Sequence, residues 1–414
     1  MTGRTGAKHQ TYQRRGIASE ELRRHNLATV LERLHRSGPA SRSQLTSTTG
    51  LNRSTIADLI GELVDLGLVD EGRGSERSGP GRPSPIVYPR AEGATVLAIE
   101  FSVDSTALAM VGLGGVVLNK VRVARARGRR TAAQAIGNAA RMAGEMFNAN
   151  VRHASLVGVG VAVAGVTRRA DGYVHLAPNL GWRDVPVADL LSDGIDVSVP
   201  VQIANEADLA ALAEHRRGAG VGFNDLIYIS GEAGVGAGII HDGRPMLGSA
   251  GYAGEAGHAL INPAGRQCRC GSIGCWETEA GEEALARHAG VSATGPRIIE
   301  EVLERADSGE PESLAAIREV GRWLGLGIGN LINIFNPEAV ILGGFYHSLF
   351  PYIAEPVEAA ARDAALKAPG GMARILASGL GPDAPLYGAA ELAFTDLIAD
   401  PAGASARSPK SARV

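Results

Sequence analysis

The chain has three cysteines in its 414 residues, Cys268, Cys270 and Cys275, all within eight positions, and His258 stands ten residues upstream of the first. No other feature constrains the fold as tightly. Widely spaced cysteines read as a disulfide framework, whereas a tight group reads as a metal cluster. Three thiolates and one imidazole satisfy tetrahedral zinc, with Zn–S bonds of about 2.3 Å. Gly271 and Gly274 let the short loop turn back so that Cys275 joins the other two. Four protein ligands leave no open position for a catalytic water, so Zn2+ is expected to be structural. The alternative is three reduced, buried thiols.

The chain is too long for one ordinary core, and two or three domains are expected. Apolar residues make up 45% and charged residues 21%, as in a soluble globular protein. No run approaches the ~18 uninterrupted apolar residues of a membrane span. The first residues are polar and basic with no apolar h-region, so a cytoplasmic location without a membrane association is expected. The net charge of −3 is unevenly spread. Residues 1–90 carry fourteen basic against nine acidic residues, a net of +5, and the remainder carries −8. A basic module on an acidic body fits a polyanion partner for the module alone; charge by itself fits a flexible basic tail equally well.

Residues 1–18 read as a disordered arm. Leu27, Val30, Leu31 and Leu34 recur at helical spacing and Ser37-Gly38-Pro39 stops that helix. Ser41 followed by Gln44 is a capping-box pattern for a second helix. Thr49-Gly50-Leu51 makes a turn, and Asn52 caps a third helix with the stripe Ile56, Leu59, Ile60, Leu63 and Val64. Two short strands follow, Leu68-Val69 and Ile86-Val87-Tyr88, around a stretch rich in Arg, Gly and Pro. From Ala94 short apolar runs (Val96–Ile99, Leu156–Val163, Val199–Ile203, Leu226–Ile229, Ala339–Leu342) alternate with Ala-rich helical segments, an α/β pattern with buried strands. Residues 401–414 read as a disordered tail.

Three helices and a β-ribbon with a basic loop are the order of a winged helix-turn-helix, here residues 19–90. The stripe of the third helix faces its core, leaving Arg53, Ser54 and Thr55 at the N-terminal end that meets base edges in this motif class. Arg53 is suited to a bidentate pair with guanine, and Ser54 or Thr55 to a base or phosphate. Arg42 and Gln44 on the second helix, and the cap Asn52, are placed for the DNA backbone. Arg73, Arg77 and Arg82 sit in the wing, Arg82 within Pro80-Gly81-Arg82-Pro83, whose extended backbone suits a narrow minor groove. The competing reading is a three-helix protein-interaction module with a solvated basic face. The segment SRSQLTSTTGLNRSTIADLIGELVDLGLV, with the Gly-Arg-Pro wing, resembles the DNA-binding half of the ROK family of repressors (repressor, open reading frame, kinase), of the xylose- or N-acetylglucosamine-repressor type.

The segment GYAGEAGHALINPAGRQCRCGSIGCWETEAG, residues 251–281, is similar to the signature of the same family. The resemblance implies an α/β body with a two-lobed, actin-like sugar-kinase fold. Its small lobe would span 91–203 plus 380–400, and its large lobe, with the zinc site, 204–379. It also implies roles. Glu255, His258 and Glu277 would hydrogen-bond sugar hydroxyls, His258 with the ring nitrogen that zinc leaves free; the chemistry is sensible, because carboxylates and imidazole suit a polyol. APNLGWRDVPVADLL (177–191) and IANEADLAALAE (203–214) resemble two further family segments, giving Asn179 and Asn205 as sugar contacts and placing Glu206 where the kinases carry their catalytic Asp.

Three departures fall on the phosphoryl-transfer parts. The family's Asp-x-Gly-x-Thr loop is Glu100-Phe101-Ser102-Val103-Asp104 here, and its Gly-Thr-Gly loop is Glu232-Ala233-Gly234. Both lose features that admit phosphate and gain a carboxylate. Glu206 is a base displaced by a methylene, and a shift of roughly an ångström costs ~100-fold. Gly343-Gly344 remains. The expected protein is therefore a DNA-binding repressor, not an enzyme, whose operator affinity a sugar modulates. It would act as a homodimer or homotetramer on an inverted repeat of double-stranded DNA, which a single half-site does not serve. Two alternatives stand beside it: a regulator controlled by a protein partner, and an active ATP-dependent sugar kinase.

Overall fold

The computed structural model describes residues 6–72, 85–125, 127, 131–150 and 155–407. The N-terminal module begins with helix α1 (Gly6–Ser37), so residues 6–18 are helical where a disordered arm was expected. The reason lies in propagation: extending a helix already nucleated by its buried stripe costs little, and Ala, Lys, Gln and Arg of that segment are good helix formers. Gly38, at φ +73°, ends α1. Helix α2 (Arg42–Thr49) opens with the expected capping box: Gln44 N donates to Ser41 Oγ at 3.2 Å and Ser41 N donates to Gln44 Oε1 at 2.8 Å. Helix α3 (Arg53–Asp65) is capped by Asn52 and buries Ile56, Leu59, Ile60 and Leu63. Val64, expected in the same stripe, is 41% exposed at its edge.

Strands β1 (Ala40–Ser41), β2 (Val69–Gly72) and β3 (Ile86–Pro89) form an antiparallel sheet in the order β1-β3-β2. Arg73, Arg77 and Arg82 lie outside the described residues.

The body holds two five-stranded sheets. The first half runs through β4 (Thr95–Phe101), β5 (Ser105–Gly112), β6 (Val116–Ala124), helix α4 (Ala132–Asn150), β7 (Leu156–Val163), and the small antiparallel sheet β8 (Val166–Arg168), β9 (Tyr173–Ala177) and β10 (Trp182–Val185). Helix α5 (Val187–Ile195), β11 (Val201–Asn205) and helix α6 (Glu206–Arg217) complete the first half. Its sheet has the order β11-β7-β4-β5-β6. The second sheet comprises β12 (Leu226–Gly231), β13 (Val235–His241), β14 (Arg244–Pro245), β15 (Ala339–Gly344) and β16 (Arg374–Ala377), in the order β14-β13-β12-β15-β16. Both sheets thus have one topology, a three-stranded antiparallel meander followed by two strands parallel to its first. The expected lobe boundary at 203 falls inside β11, which runs on to Asn205.

Alternation along β4 divides two cores. Leu97, Ile99 and Phe101 pack with α4, whereas Val96 and Ala98 face a core that includes the helix Ala384–Ala393. That helix lies directly on β7: a Cβ on Gly160 would fall 1.8 Å from the carbonyl oxygen of Ala389. The glycine-valine alternation of β7 is the sequence imprint of this contact. The same apolar cluster continues through Phe394, Leu397 and Ile398 into Leu27, Leu31 and Leu34 of α1, so the N-terminal module and the body share one core.

The expected C-terminal tail also differs. Residues Pro401–Arg407 form a helix, opened by a proline at its favoured first position and packed through Ala404 against the shared core. Residues 408–414 lie outside the described residues. Among those described, no helix is long and apolar enough to cross a membrane.

Candidate functional site

The four metal-ligand candidates converge. One ligand atom each from His258, Cys268, Cys270 and Cys275 lies within 4.8 Å of all the others. Cys268 Sγ is 3.7 Å from His258 Nδ1, and Cys270 Sγ is 3.6 Å from Cys275 Sγ. Arms of about 2.3 Å at the tetrahedral angle would put two sulfurs about 3.8 Å apart, so the donors have the spacing of a zinc shell. Local chain geometry makes this possible. The amide of Cys268 donates to Ser272 O at 2.7 Å, closing the loop. Gly274, at φ +77°, passes so near Asn262 that a Cβ would lie 1.8 Å from its carbonyl oxygen. Trp276 then anchors the loop, donating through Nε1 to Trp323 O at 2.9 Å. Hydrogen bonds from the Ser272 backbone and with Cys268 bring the Cys270 thiol down to about 6, whereas burial raises the thiols of Cys268 and Cys275.

The six residues expected to contact a ligand line one cleft of about 420 Å3 between the two sheets: Asn179, Asn205, Glu206, Glu255, His258 and Glu277. Their individual duties differ from a uniform polyol-binding set. His258 points Nδ1 at the cysteines and has Nε2 4.0 Å from Glu255 Oε2, so one nitrogen serves the cluster and the other the cleft. Burial, ahead of the neighbouring Glu277, raises the Glu255 carboxyl, with His258 opposing. Glu277 turns Oε1 to within 2.9 Å of Cys268 Sγ. It borders the cluster as well as the cleft. Asn205 caps α6, accepting from Ala207 N at 2.8 Å, and donates to Gly165 O at 3.0 Å, which leaves one amide hydrogen for a ligand.

Sequence reasoning missed Arg269. Standing between two cysteines, it crosses the cleft and donates from Nη1 to Asn179 Oδ1 at 2.6 Å, while Nη2 pairs with Glu283. Its neighbours in the sequence were the signal: a loop pinned on both sides by metal ligands aims its side chain in a fixed direction.

The deep end of the cleft is acidic. Glu206 is raised well above the usual carboxylate range by burial, then by Glu232 and Glu100, and its Oε2 is buried without a hydrogen-bond partner. Burial, then Glu100 and Asp104, push Glu232 up to about 7. Asp104 adds its charge to this group but is itself paired with a cation. Arg127 grips it at 2.6 and 2.7 Å and also holds Glu282 at 2.7 and 3.0 Å. Among the described residues Glu206 and Glu232 have no salt bridge, whereas Glu100 is paired with Arg122 at 2.8 Å. Packing and backbone conformation both call for glycine at this pair: Cβ atoms on Gly343 and Gly344 would meet Tyr228 Oη at 1.8 Å and Gly231 O at 2.0 Å, and Gly344 has φ +56°.

On the N-terminal module, Arg53 and Ser54 are exposed at the start of α3. Asn52 Oδ1 accepts from Thr55 N at 2.9 Å and from Ser54 Oγ at 2.7 Å, so the cap occupies both Asn52 and Ser54. Arg42 is held by Glu71 of β2 in a two-pronged pair at 2.5 and 2.6 Å. Gln44 spends its carbonyl oxygen on the capping box and keeps its amide hydrogens free.

A sequence profile described as ROK family matches residues 96–396. The chain is 31% identical to a xylose repressor of Caldicellulosiruptor bescii over 354 residues, covering 80% of this chain and 86% of that protein. It is similar in structure to a ROK family transcriptional regulator described as a homologue of the E. coli MLC protein, with a TM-score of 0.75 and 25% identity, over 93% of this chain and 97% of that one. A ROK family glucokinase from Streptomyces griseus, solved with glucose and AMPPNP, matches with a TM-score of 0.64 and 31% identity, over 72% of this chain and 99% of its own.

Proposed function

The chain belongs to the ROK family, and from that membership we propose that it is a sequence-specific DNA-binding transcriptional repressor whose operator affinity is set by a sugar held in the cleft. The observation that carries the reading is a single side chain. His258 offers Nδ1 to the cysteine cluster and Nε2 to a cleft lined by Glu255, Asn179 and Asn205. His258, Cys268, Cys270 and Cys275 would hold a zinc ion, whose structural role would be to fix the imidazole ring and close the loop 268–275. The ring then presents a directed nitrogen to a hydroxyl, with carboxylates to accept and amides to donate.

The N-terminal module supports the DNA half. Its three helices and its sheet follow the order of a winged helix-turn-helix, with α3 as the recognition helix and Arg53 at its N-terminal end. Arg42 reaches a phosphate only by exchanging Glu71 for it; Gln44, Ser54 and Thr55 are better placed for short contacts. The wing arginines Arg73, Arg77 and Arg82 complete the proposed interface. The ROK family transcriptional regulator of similar structure covers 93% of this chain, more than the body alone holds, whereas the glucokinase match spans 72%. A symmetric dimer, or a dimer of dimers, on an inverted repeat gives the affinity that one half-site lacks.

The kinase alternative is disfavoured by electrostatics. Burial raises Glu100, Glu206 and Glu232, Glu100 adds to the shift of Glu232 and both add to that of Glu206, so a nucleotide's phosphates would meet a group of carboxyls that already resist sharing negative charge. The experiment that tests the function is twofold: thermal unfolding against a panel of aldoses, and selection of an operator from a random duplex pool. A ligand at 100 times its Kd adds about 2.7 kcal/mol, well within reach of detection. A protein that neither binds an aldose nor enriches a sequence does not have this function.

A further inference from the structure

The buried ion cluster where the N-terminal module meets the body has no part in either binding surface. Glu391, on the helix Ala384–Ala393, has a side chain only 2% exposed. It accepts from Arg216 Nη1 at 2.8 Å and from Arg217 Nε at 2.5 Å, and His35 Nε2 lies 3.2 Å away. His35 is fully buried near the C-terminal end of α1, and its Nδ1 accepts from the Gly114 amide at 3.0 Å. His35 Nε2 also lies 2.7 Å from Arg217 Nη2, so the ring nitrogen sits against both members of the ion pair. Arg217 also donates to Gly114 O at 3.0 Å and to His35 O at 3.2 Å, the latter one of the carbonyls a helix end leaves unpaired. Three segments of the body and the last turn of α1 thus meet at one carboxylate.

Arg216 and Arg217 are the last two residues of α6, and Asn205 and Glu206, its cap and first residue, line the ligand cleft. Twelve residues of α-helix span about 18 Å. The helix also runs against Ala384–Ala393 at backbone distance, since a Cβ on Gly388 would lie 1.9 Å from Leu209 O. Two backbones this close cannot slide without separating, so the two helices move together.

We propose that α6 couples the cleft to the DNA-binding module, with Arg217, Glu391 and His35 as the positioning residues that pass its displacement to α1. The proposal rests on the function proposed above and names the element through which the two sites communicate. A ligand hydroxyl that engages Asn205 pulls on the cap of α6; the rigid helix shifts its far end, and the carboxylate grips both arginines and His35. The angle of α1, and with it the position of α3, follows. Only differential affinity of the two arrangements for ligand is needed.

The test uses the full chain, D-xylose and D-glucose as probes, and an operator selected in vitro. Operator affinity is measured with and without saturating sugar, and sugar affinity by calorimetry, for wild type, Arg217→Gln and Arg216→Gln. The expected result is that Arg217→Gln keeps each separate affinity within threefold while the sugar-induced change in operator affinity falls at least tenfold toward unity. Arg216→Gln, which removes one of the two guanidinium contacts, should give an intermediate loss. Should Glu391→Gln fold as judged by an unchanged unfolding cooperativity, it joins the series with the larger loss. Undiminished coupling in Arg217→Gln and Arg216→Gln overturns the proposal while leaving the function intact. A wild type that binds a probe sugar and an operator with no mutual effect overturns it as well, and one that binds neither removes the functional reading with it.

Discussion

Arg269 Nη1 donates to Asn179 Oδ1 across the cleft at 2.6 Å, joining the loop of the metal cluster to the one-turn helix Pro178–Leu180 of the other half. A ligand that hydrogen-bonds Asn179 must share it with this arginine or displace it. The arginine is more than half exposed, so the contact is worth at most about 1 kcal/mol. We expect Asn179→Ala to weaken sugar binding about tenfold and Arg269→Ala to leave it unchanged or slightly tighter, by calorimetry. Equal losses in both variants would make Arg269 a ligand contact in its own right.

Metal content should be one zinc per chain. Cys275→Ser should lower it severalfold and loosen the loop that Trp276 anchors, read as a lower melting temperature and faster amide exchange over 259–276. Removal of metal by a chelator should reproduce both effects in the wild type, because binding energy at such a site is folding energy. Freshly purified protein without zinc would count against the structural role.

Stability should carry a pH signature from the acidic end of the cleft. Glu232 is raised from 4.5 to about 7 in the fold, by burial first and then by Glu100 and Asp104. A raised carboxyl favours the neutral form, so its contribution is complete below about pH 4 and is lost as pH rises through 7. His215, lowered to about 4 by burial and then by Arg36 and Arg216, acts in the opposite sense between pH 4 and 6.5. Comparison with Glu232→Gln isolates the first group. The variant should gain on the order of 2 kcal/mol relative to wild type between pH 5 and 8, in denaturant titrations. A difference independent of pH would mean that Glu232 ionises freely.

Phosphoryl transfer should be absent. A coupled assay with ATP and an aldose panel should stay at background, and Glu206→Asp alone should not restore turnover, because Glu100 and Glu232 remain. Robust wild-type turnover would establish the kinase instead.

Arg53→Ala should cost about 1–3 kcal/mol on the specific operator and relax one base position. Arg42→Ala should weaken all duplexes alike, and less, because the DNA must first win Arg42 from Glu71. Gel shifts across operator variants separate the two behaviours.

Much of this was legible in the sequence because local rules and global fold agree. The capping box at Ser41 and Gln44, the cap at Asn52 and the buried runs of β4, β7, β12 and β15 all take the forms their residues dictate. The metal cluster was legible because thiol chemistry and loop length leave few alternatives. What was not legible depends on distant packing. Residues 6–18 and 401–407 lack an apolar stripe of their own and take helical form as continuations of structured neighbours. The shared topology of the two sheets leaves no sequence repeat, because strand order is set by which faces are buried. The pairing of Asp104 with Arg127 and the meeting of His35, Arg217 and Glu391 join residues 23, 182 and 174 positions apart, and no periodicity announces them.

Communication between cleft and operator is directly measurable through linkage. Sugar affinity should be measured on the wild-type chain in the absence and the presence of saturating operator DNA. Whatever factor the sugar imposes on operator affinity, the operator must impose the same factor on sugar affinity, and a 100-fold effect corresponds to about 2.8 kcal/mol of coupling. The account predicts two distinct sugar affinities whose ratio matches the shift in operator affinity. Identical sugar affinities with and without operator would contradict it.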